Sequence, residues 1–250
     1  MIISHKHKFI FIHCRKVAGS SMKVALAPYL GKQDIVIGSW NEIMDSGIKL
    51  NQSAKRTLRH PKALAYTSAA LCIGKSWPEA VNIGVKAYYR NRLSVNPPHP
   101  TALEASNFFS YEWNNYFKFS FVRNPYERVV SDYFWRLRMT NEQFSFNQYL
   151  KLLLSGKKNR IIHPGGHSNW QMLTINGQLV MDFIGNYERL EKDFIEVTKQ
   201  LSIPVNGLGA KVKVNKETKD YSNLYSEEEK GIVEDMFQSE IEAFGYEFPY

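Results

Sequence analysis

The sequence predicts an α/β fold, a parallel sheet flanked by helices with one largely helical insertion, and three observations predict it. Phe9-Ile10-Phe11-Ile12 is a short apolar run, followed by a basic, small-residue turn from Cys14 to Ser21 and then by apolar residues at helical spacing, Met22, Ala25 and Leu26. Phe117 to Val122 alternates and is rich in aromatic and branched residues, and it passes through Arg123-Asn124-Pro125 into a second helical pattern at Val129, Val130, Tyr133 and Phe134. Residues 40–95 offer two helical stretches, Ala63 to Cys72 and Pro78 to Tyr89. The strand–loop–helix order at the start makes the fold P-loop-like. One domain over residues 1–250, with 40–95 as a largely helical insertion, suits a chain of 250 residues.

The first junction has the chemistry of an anion site. A strand that turns tightly into a helix aims unpaired N–H groups and the positive end of the helix dipole at one point, which suits phosphate or sulfate. Gly19 allows close backbone approach, Ser20 and Ser21 add hydroxyl donors, and Lys16 adds a mobile positive charge. The loop is not a Walker A sequence, in which Lys directly follows the last Gly; here Lys16 comes three residues before Gly19. By itself it fits an anion cradle and an ordinary turn with a solvated lysine equally.

After the first helix, Pro28 to Gln33 reads as a turn and Ile35-Val36-Ile37 as a strand ending at Gly38-Ser39. Lys55, Arg56, Arg59, His60, Lys62, Lys75, Lys86, Arg90 and Arg92 interleave with Trp77, Tyr88 and Tyr89, either as a solvated helical face or as a contact for an anionic or sugar-like acceptor. Asn96-Pro97-Pro98-His99-Pro100-Thr101 is stiff and extended, holding His99 before a helix from Thr101 to Ser106. At the second motif Asn124 is a good N-cap and Pro125 a good first helical residue, with Glu127 placed to close a capping box. Arg123 at the strand end and Ser131 two turns into the helix can reach one anion from two sides; otherwise Arg123 makes an ordinary surface ion pair. Phe144 to Leu154 is helical. His163 and His167 in the polar loop 157–170 are four apart, but Pro164-Gly165-Gly166 forbids the helix that would pair them on a metal. Leu179 to Ile184 reads as a strand, Tyr187 to Leu201 as a helix, 207–225 as a basic loop, and Ser226 with Glu229 as a capping-box start to a last helix ending near Phe244.

The net charge of +8 suits an anionic ligand, but the basic residues are scattered, which argues against a nucleic-acid platform. Two cysteines, Cys14 and Cys72, make no disulfide framework and no zinc spacing. No signal peptide precedes the first strand and no apolar run reaches the length of a membrane span, which predicts a cytoplasmic chain.

These residues together resemble the PAPS-dependent sulfotransferases, most closely the carbohydrate branch that includes the Golgi enzymes and their bacterial relatives. Arg15 to Ser21 is similar to that family's 5′-phosphosulfate loop, with Arg15 where Pro is usual. Phe121 to Ser131 is similar to its 3′-phosphate motif over the whole length and is the specific match. His99-Pro100-Thr101-Ala102, the stretch Asp182 to Phe194, and Asn215-Lys216 through Tyr246 are weaker echoes. The Golgi members' N-terminal anchor has no counterpart here, which predicts a soluble, bacterial-type enzyme.

The resemblance implies transfer of a sulfuryl group from 3′-phosphoadenosine 5′-phosphosulfate to a hydroxyl or amine of a carbohydrate or small-molecule acceptor, leaving adenosine 3′,5′-bisphosphate and needing no metal. Lys16, with the backbone of Ala18, Gly19, Ser20 and Ser21, would hold the phosphosulfate, and Arg15 would add a second charge. Arg123 and Ser131 would hold the 3′-phosphate, and the Lys211 to Tyr221 loop, with Asn215 and Lys216, would cover the adenosine. His99 is the expected base, with Glu104 and His167 as fallbacks. Two rivals remain at this level: a P-loop kinase or phosphotransferase, and a non-catalytic module for anionic glycan or nucleic acid.

Overall fold

In the computed structural model of the protein, residues 1–156, 168–209 and 221–249 are described. In chain order the elements are β1 (Ile2–Ser4), β2 (Phe9–Phe11), α1 (Gly19–Leu26), β3 (Ile35–Val36), α2 (Trp40–Asp45), α3 (Gln52–Leu58), α4 (Pro61–Cys72), α5 (Trp77–Tyr89), α6 (Ala102–Phe108), α7 (Ser110–Asn115), β4 (Phe117–Val122), α8 (Pro125–Thr140), α9 (Phe146–Leu154), α10 (Trp170–Leu173), β5 (Thr174–Ile175), β6 (Gln178–Leu179), β7 (Phe183–Asn186), α11 (Leu190–Gln200) and α12 (Glu227–Phe244). They form two compact units, Met1–Phe121 with Gln171–Val212, and Val122–Trp170 with Lys213–Tyr250.

The first unit is built on a five-stranded sheet in the order β3-β1-β2-β4-β7. β2 and β4 pair in parallel, Phe9 opposite Phe117 and Phe11 opposite Phe119. The expectation of a parallel sheet needs correction on one side, because β1 runs antiparallel to both β2 and β3. The sheet is therefore mixed. The first strand is also earlier than the apolar run at Phe9 suggests. β1 is only three residues long, and its place is set by a side chain far along the chain: Asp34, nearly fully buried, accepts from Ser4 Oγ at 2.6 Å, from the His5 and Lys6 amides at 2.9 and 3.1 Å, and from the Gly31 amide at 2.8 Å. A buried carboxylate is tolerated when hydrogen bonds satisfy it, and here those bonds tie the β1–β2 turn to the approach of β3.

Phe9, Phe11, Phe119 and Phe121 are fully buried, and Phe11 and Phe119 stack across the parallel pair at 5.0 Å between ring centroids. The single strand expected over Leu179 to Ile184 is instead two, β6 pairing with β5 and β7 joining the main sheet. β7 needs Gly185, because a Cβ there would stand 2.3 Å from the Phe121 ring. The helical reading of 40–95 is right in kind, although α2 and α3 lie where no helix was expected.

The second unit is helical. Tyr126, Val129, Val130 and Tyr133 of α8 pack with Phe146, Tyr149 and Leu150 of α9 and with Val233 and Phe237 of α12. Two buried polar knots sit in this core. Asp132 accepts from Arg136 Nε at 2.6 Å and from the Tyr149 hydroxyl at 2.7 Å. Glu240 pairs with Arg128 at 3.4 Å and accepts from Ser168 Oγ and the Asn169 amide at 2.8 and 2.7 Å. Ser226 caps α12 with Glu229 in the expected capping box. Among the described residues no helix is long and apolar enough to cross a membrane.

Candidate active site

The loop between β2 and α1 is held in a conformation that its residues do not prefer. Ile12 still bonds as sheet, its amide donating to Phe119 O at 3.0 Å. The chain then turns with Lys16 at φ 61° and Ala18 at φ 58°. Left-handed backbone at a residue with a Cβ costs about 1–2 kcal/mol, and such strain persists where the surroundings over-determine it. Ala18 ends the loop as the residue before α1, its carbonyl accepting from the Met22 amide at 3.2 Å. Among the described residues no side chain caps this helix, and no acidic residue lies in its first turn. The first-turn amides of a helix have no partner within it, so the α1 N-terminus keeps its donors and its positive dipole end for an anion. Lys16 and Arg15, both partly exposed, lie in the same turn. The Ser20 hydroxyl pairs with that of Ser39, the two Oγ atoms 2.9 Å apart.

Two histidines lock the loop. The His13 ring packs against Gly19, so that a Cβ on Gly19 would stand 1.8 Å from His13 Cδ2 and 2.0 Å from Nε2. This is the physical requirement for glycine at that position. The His99 ring packs on His13 with centroids 4.5 Å apart. His99 Nδ1 is 2.7 Å from the His13 carbonyl oxygen. A carbonyl only accepts, so Nδ1 carries the proton and Nε2 carries the lone pair. Burial, then the Arg15 charge, hold His99 well below the ordinary histidine value, while the bond to the His13 carbonyl works against them. His99 is therefore a neutral imidazole near pH 7, in the one tautomer that leaves Nε2 basic. His13 is likewise held low, by burial first, then by Lys23 and His99. Lys23 is itself fully buried, donates to Ile37 O at 2.8 Å, and is pushed down by burial to about 8.

The second motif lies in the helical unit. Arg123 follows β4 directly and is only 5% exposed; its Nε and Nη2 donate to Glu127 Oε2 at 3.3 and 3.1 Å. The expected capping box at α8 is corrected by this contact, because Glu127 turns to Arg123. Asn124 caps the helix through the Tyr126 amide at 3.1 Å and donates to Glu247 O at 2.8 Å. Ser131 is buried on α8. The pair is thus not the ordinary surface ion pair, since the guanidinium is buried and the carboxylate is the more exposed partner.

Glu104 is engaged elsewhere: its carboxylate accepts from the Thr101 amide and hydroxyl at 2.8 and 3.1 Å, closing a capping box on α6. His163, His167, Asn215, Lys216 and residues 211–220 of the expected adenosine loop lie outside the described residues. His13 and Ser39 are the site residues that sequence reasoning missed. A histidine directly after a strand and six residues before a glycine was a usable signal; nothing local marks Ser39.

Of the known proteins, an uncharacterised protein of Archaeoglobus fulgidus is 32% identical over 93 residues, which is 37% of this chain and 72% of that protein. No solved structure matches the chain. The family model described as "Sulfotransferase family" matches residues 1–247. That match takes in the strained Lys16 loop, His99 and the buried Arg123, and it shows that the chain belongs to the sulfotransferase family.

Proposed function

We propose that the protein transfers a sulfuryl group from 3′-phosphoadenosine 5′-phosphosulfate to a hydroxyl, or an amine, of a carbohydrate or small-molecule acceptor. The observation that carries this reading is the pairing of an uncapped α1 N-terminus with a neutral His99 whose Nε2 is the basic nitrogen. The donor, when bound, supplies an electrophilic sulfur and a good leaving group. Lys16 and the first-turn amides of α1 hold the negative charge that grows on the 5′-phosphate side as the sulfur–oxygen bond breaks. His99 Nε2 takes the acceptor's proton as the new bond to sulfur forms. Its Nδ1–H stays on the His13 carbonyl, a bond that strengthens as the ring becomes cationic. Arg123 and Ser131 serve the 3′-phosphate, with Glu127 orienting the guanidinium. Arg15 supports the anion and keeps His99 neutral.

Calorimetric titration with adenosine 3′,5′-bisphosphate, beside ATP and adenosine 5′-monophosphate, tests the reading. Binding of the bisphosphate without magnesium, weakened about tenfold to a hundredfold in Arg123→Ala, is the expected result. A preference for magnesium–ATP would instead make the protein a phosphotransferase.

A further inference from the structure

α4 presents its hydrophobic residues on the wrong side for a helix that belongs only to its own core. It packs antiparallel on α5, with Lys62 Nζ on Arg90 O at 2.9 Å at one end. The buried face of α4 is Ala63, Thr67 and Ala70, all small. Gly84 of α5 admits it closely, since a Cβ there would stand 2.0 Å from Thr67 Oγ1 and 2.9 Å from Ala63 O. This small-on-small seam leaves the large side chains outside: Leu64 is 55% exposed, Ile73 76% and Trp77 50%, with Tyr66 and Leu71 also exposed. Between Lys62 and Lys75 there is no charged residue. An exposed helix ordinarily shows the opposite pattern, apolar inward and charged outward, and an uncharged outer face flanked by exposed large apolar side chains marks an interaction surface.

The charge around the helix says what covers it. From Gln52 to Arg92 the chain holds eight basic side chains against the single acid Glu79, which is seven of the eight net positive charges of the whole sequence. Lys55, Arg56, Arg59, Lys75, Arg90 and Arg92 are all exposed. A second copy of the chain would bring this charge against itself, which disfavours association. A soluble polyanion would use the charge but not the uncharged face. An anionic lipid surface uses both, because aliphatic side chains and tryptophan settle at the headgroup–acyl boundary while lysine and arginine stay among the headgroups.

We propose that the α4–α5 hairpin is a docking surface for anionic membranes, with the uncharged face of α4 lying on the bilayer and Ile73 and Trp77 entering its interface. The reading goes beyond the transfer chemistry and does not depend on it. Cys72 lies on this face and is exposed, whereas Cys14 is fully buried, so a polarity-sensitive maleimide dye reports on Cys72 alone. The labelled full chain is titrated with phosphatidylcholine vesicles, with and without phosphatidylglycerol, and unlabelled chain is co-sedimented with the same vesicles. The expected result is a blue shift and co-sedimentation with the anionic vesicles only, weakened by salt. Lys55→Glu with Arg59→Glu should weaken both by about tenfold or more, and Leu71→Ser with Ile73→Ser should abolish the shift. The proposal is overturned by no co-sedimentation with anionic vesicles, by a shift that grows with protein concentration in their absence, or by an equal shift with dextran sulfate. Bisphosphate titration of the same exposed-surface variants should match wild type, which separates this result from the fate of the transfer reading.

Discussion

The β2–α1 and β4–α8 junctions are both strand-to-helix turns, and they treat the start of the helix in opposite ways. Seven residues separate β2 from α1, two of them in left-handed conformation, and α1 begins with neither a side-chain cap nor an acidic residue. Only Arg123 and Asn124 separate β4 from α8, and α8 begins with an Asn124 cap, Pro125 and Glu127. At α8 the chain's own groups answer the helix dipole and the first orphan amides. At α1 they are left open, and the strain of the loop is held by His13 packed against Gly19 and by His99 packed on His13. In the proposed reaction one junction would present backbone amides and the other a buried guanidinium, so the two should fail differently.

Gly19→Ala should have the largest effect on the α1 junction. The new methyl group must displace the His13 ring, on which the His99 ring packs. Turnover should fall about a hundredfold or more, while the circular dichroism of the chain stays unchanged; full activity would show that the His13 stack is idle. Next comes Ser21→Asp, which gives α1 the acidic first turn that α8 already has. It should raise stability by about 0.3–1 kcal/mol and yet weaken binding of a 5′-phosphosulfate analogue, so that thermal melting and calorimetry move in opposite senses. Equal binding would mean that the α1 N-terminus is not the anion site.

Arg15→Ala should act on the α1 junction through pH. His99 is depressed below its ordinary 6.5, first by burial and then by Arg15. Its neutral form therefore survives as pH falls below 6.5, and the rate falls only as pH passes down through the folded-state value. By the same linkage, its contribution to stability is full above 6.5 and is lost as pH falls. Removing Arg15 raises the folded value toward 6.5, so the acid limb of the rate profile should move to higher pH. A limb that stays in place would assign the titration to another group. The smallest effect on turnover is that of Asn124→Ala, which should lower stability by about 0.5–2 kcal/mol in denaturant melts; the same measurement on Ala18→Gly should show no loss and a gain of up to about 1 kcal/mol, because glycine relieves the left-handed backbone there.

Much of this was legible in the sequence wherever the determining contacts are local. β4 lies where the aromatic alternation put it, and the Ser226–Glu229 box, the Asn124 cap and Pro125 start their helices as their chemistry requires. Lys16, Gly19, His99 and Arg123 stood out because loop, turn and strand-end chemistry is written within a few residues. The remaining features rest on partners far apart in sequence. A three-residue β1 has too little pattern to announce itself and is held by Asp34; the division of Leu179 to Ile184 into two strands follows from which sheet each half reaches. The tautomer of His99 depends on a carbonyl 86 residues earlier in the chain, and the need for Gly19 depends on where the His13 ring comes to rest. Patterning within a helix or strand acts over a few residues and can be read along the chain. Hydrogen bonds and ring contacts between distant residues are decided by packing, and packing exists only once the chain has folded.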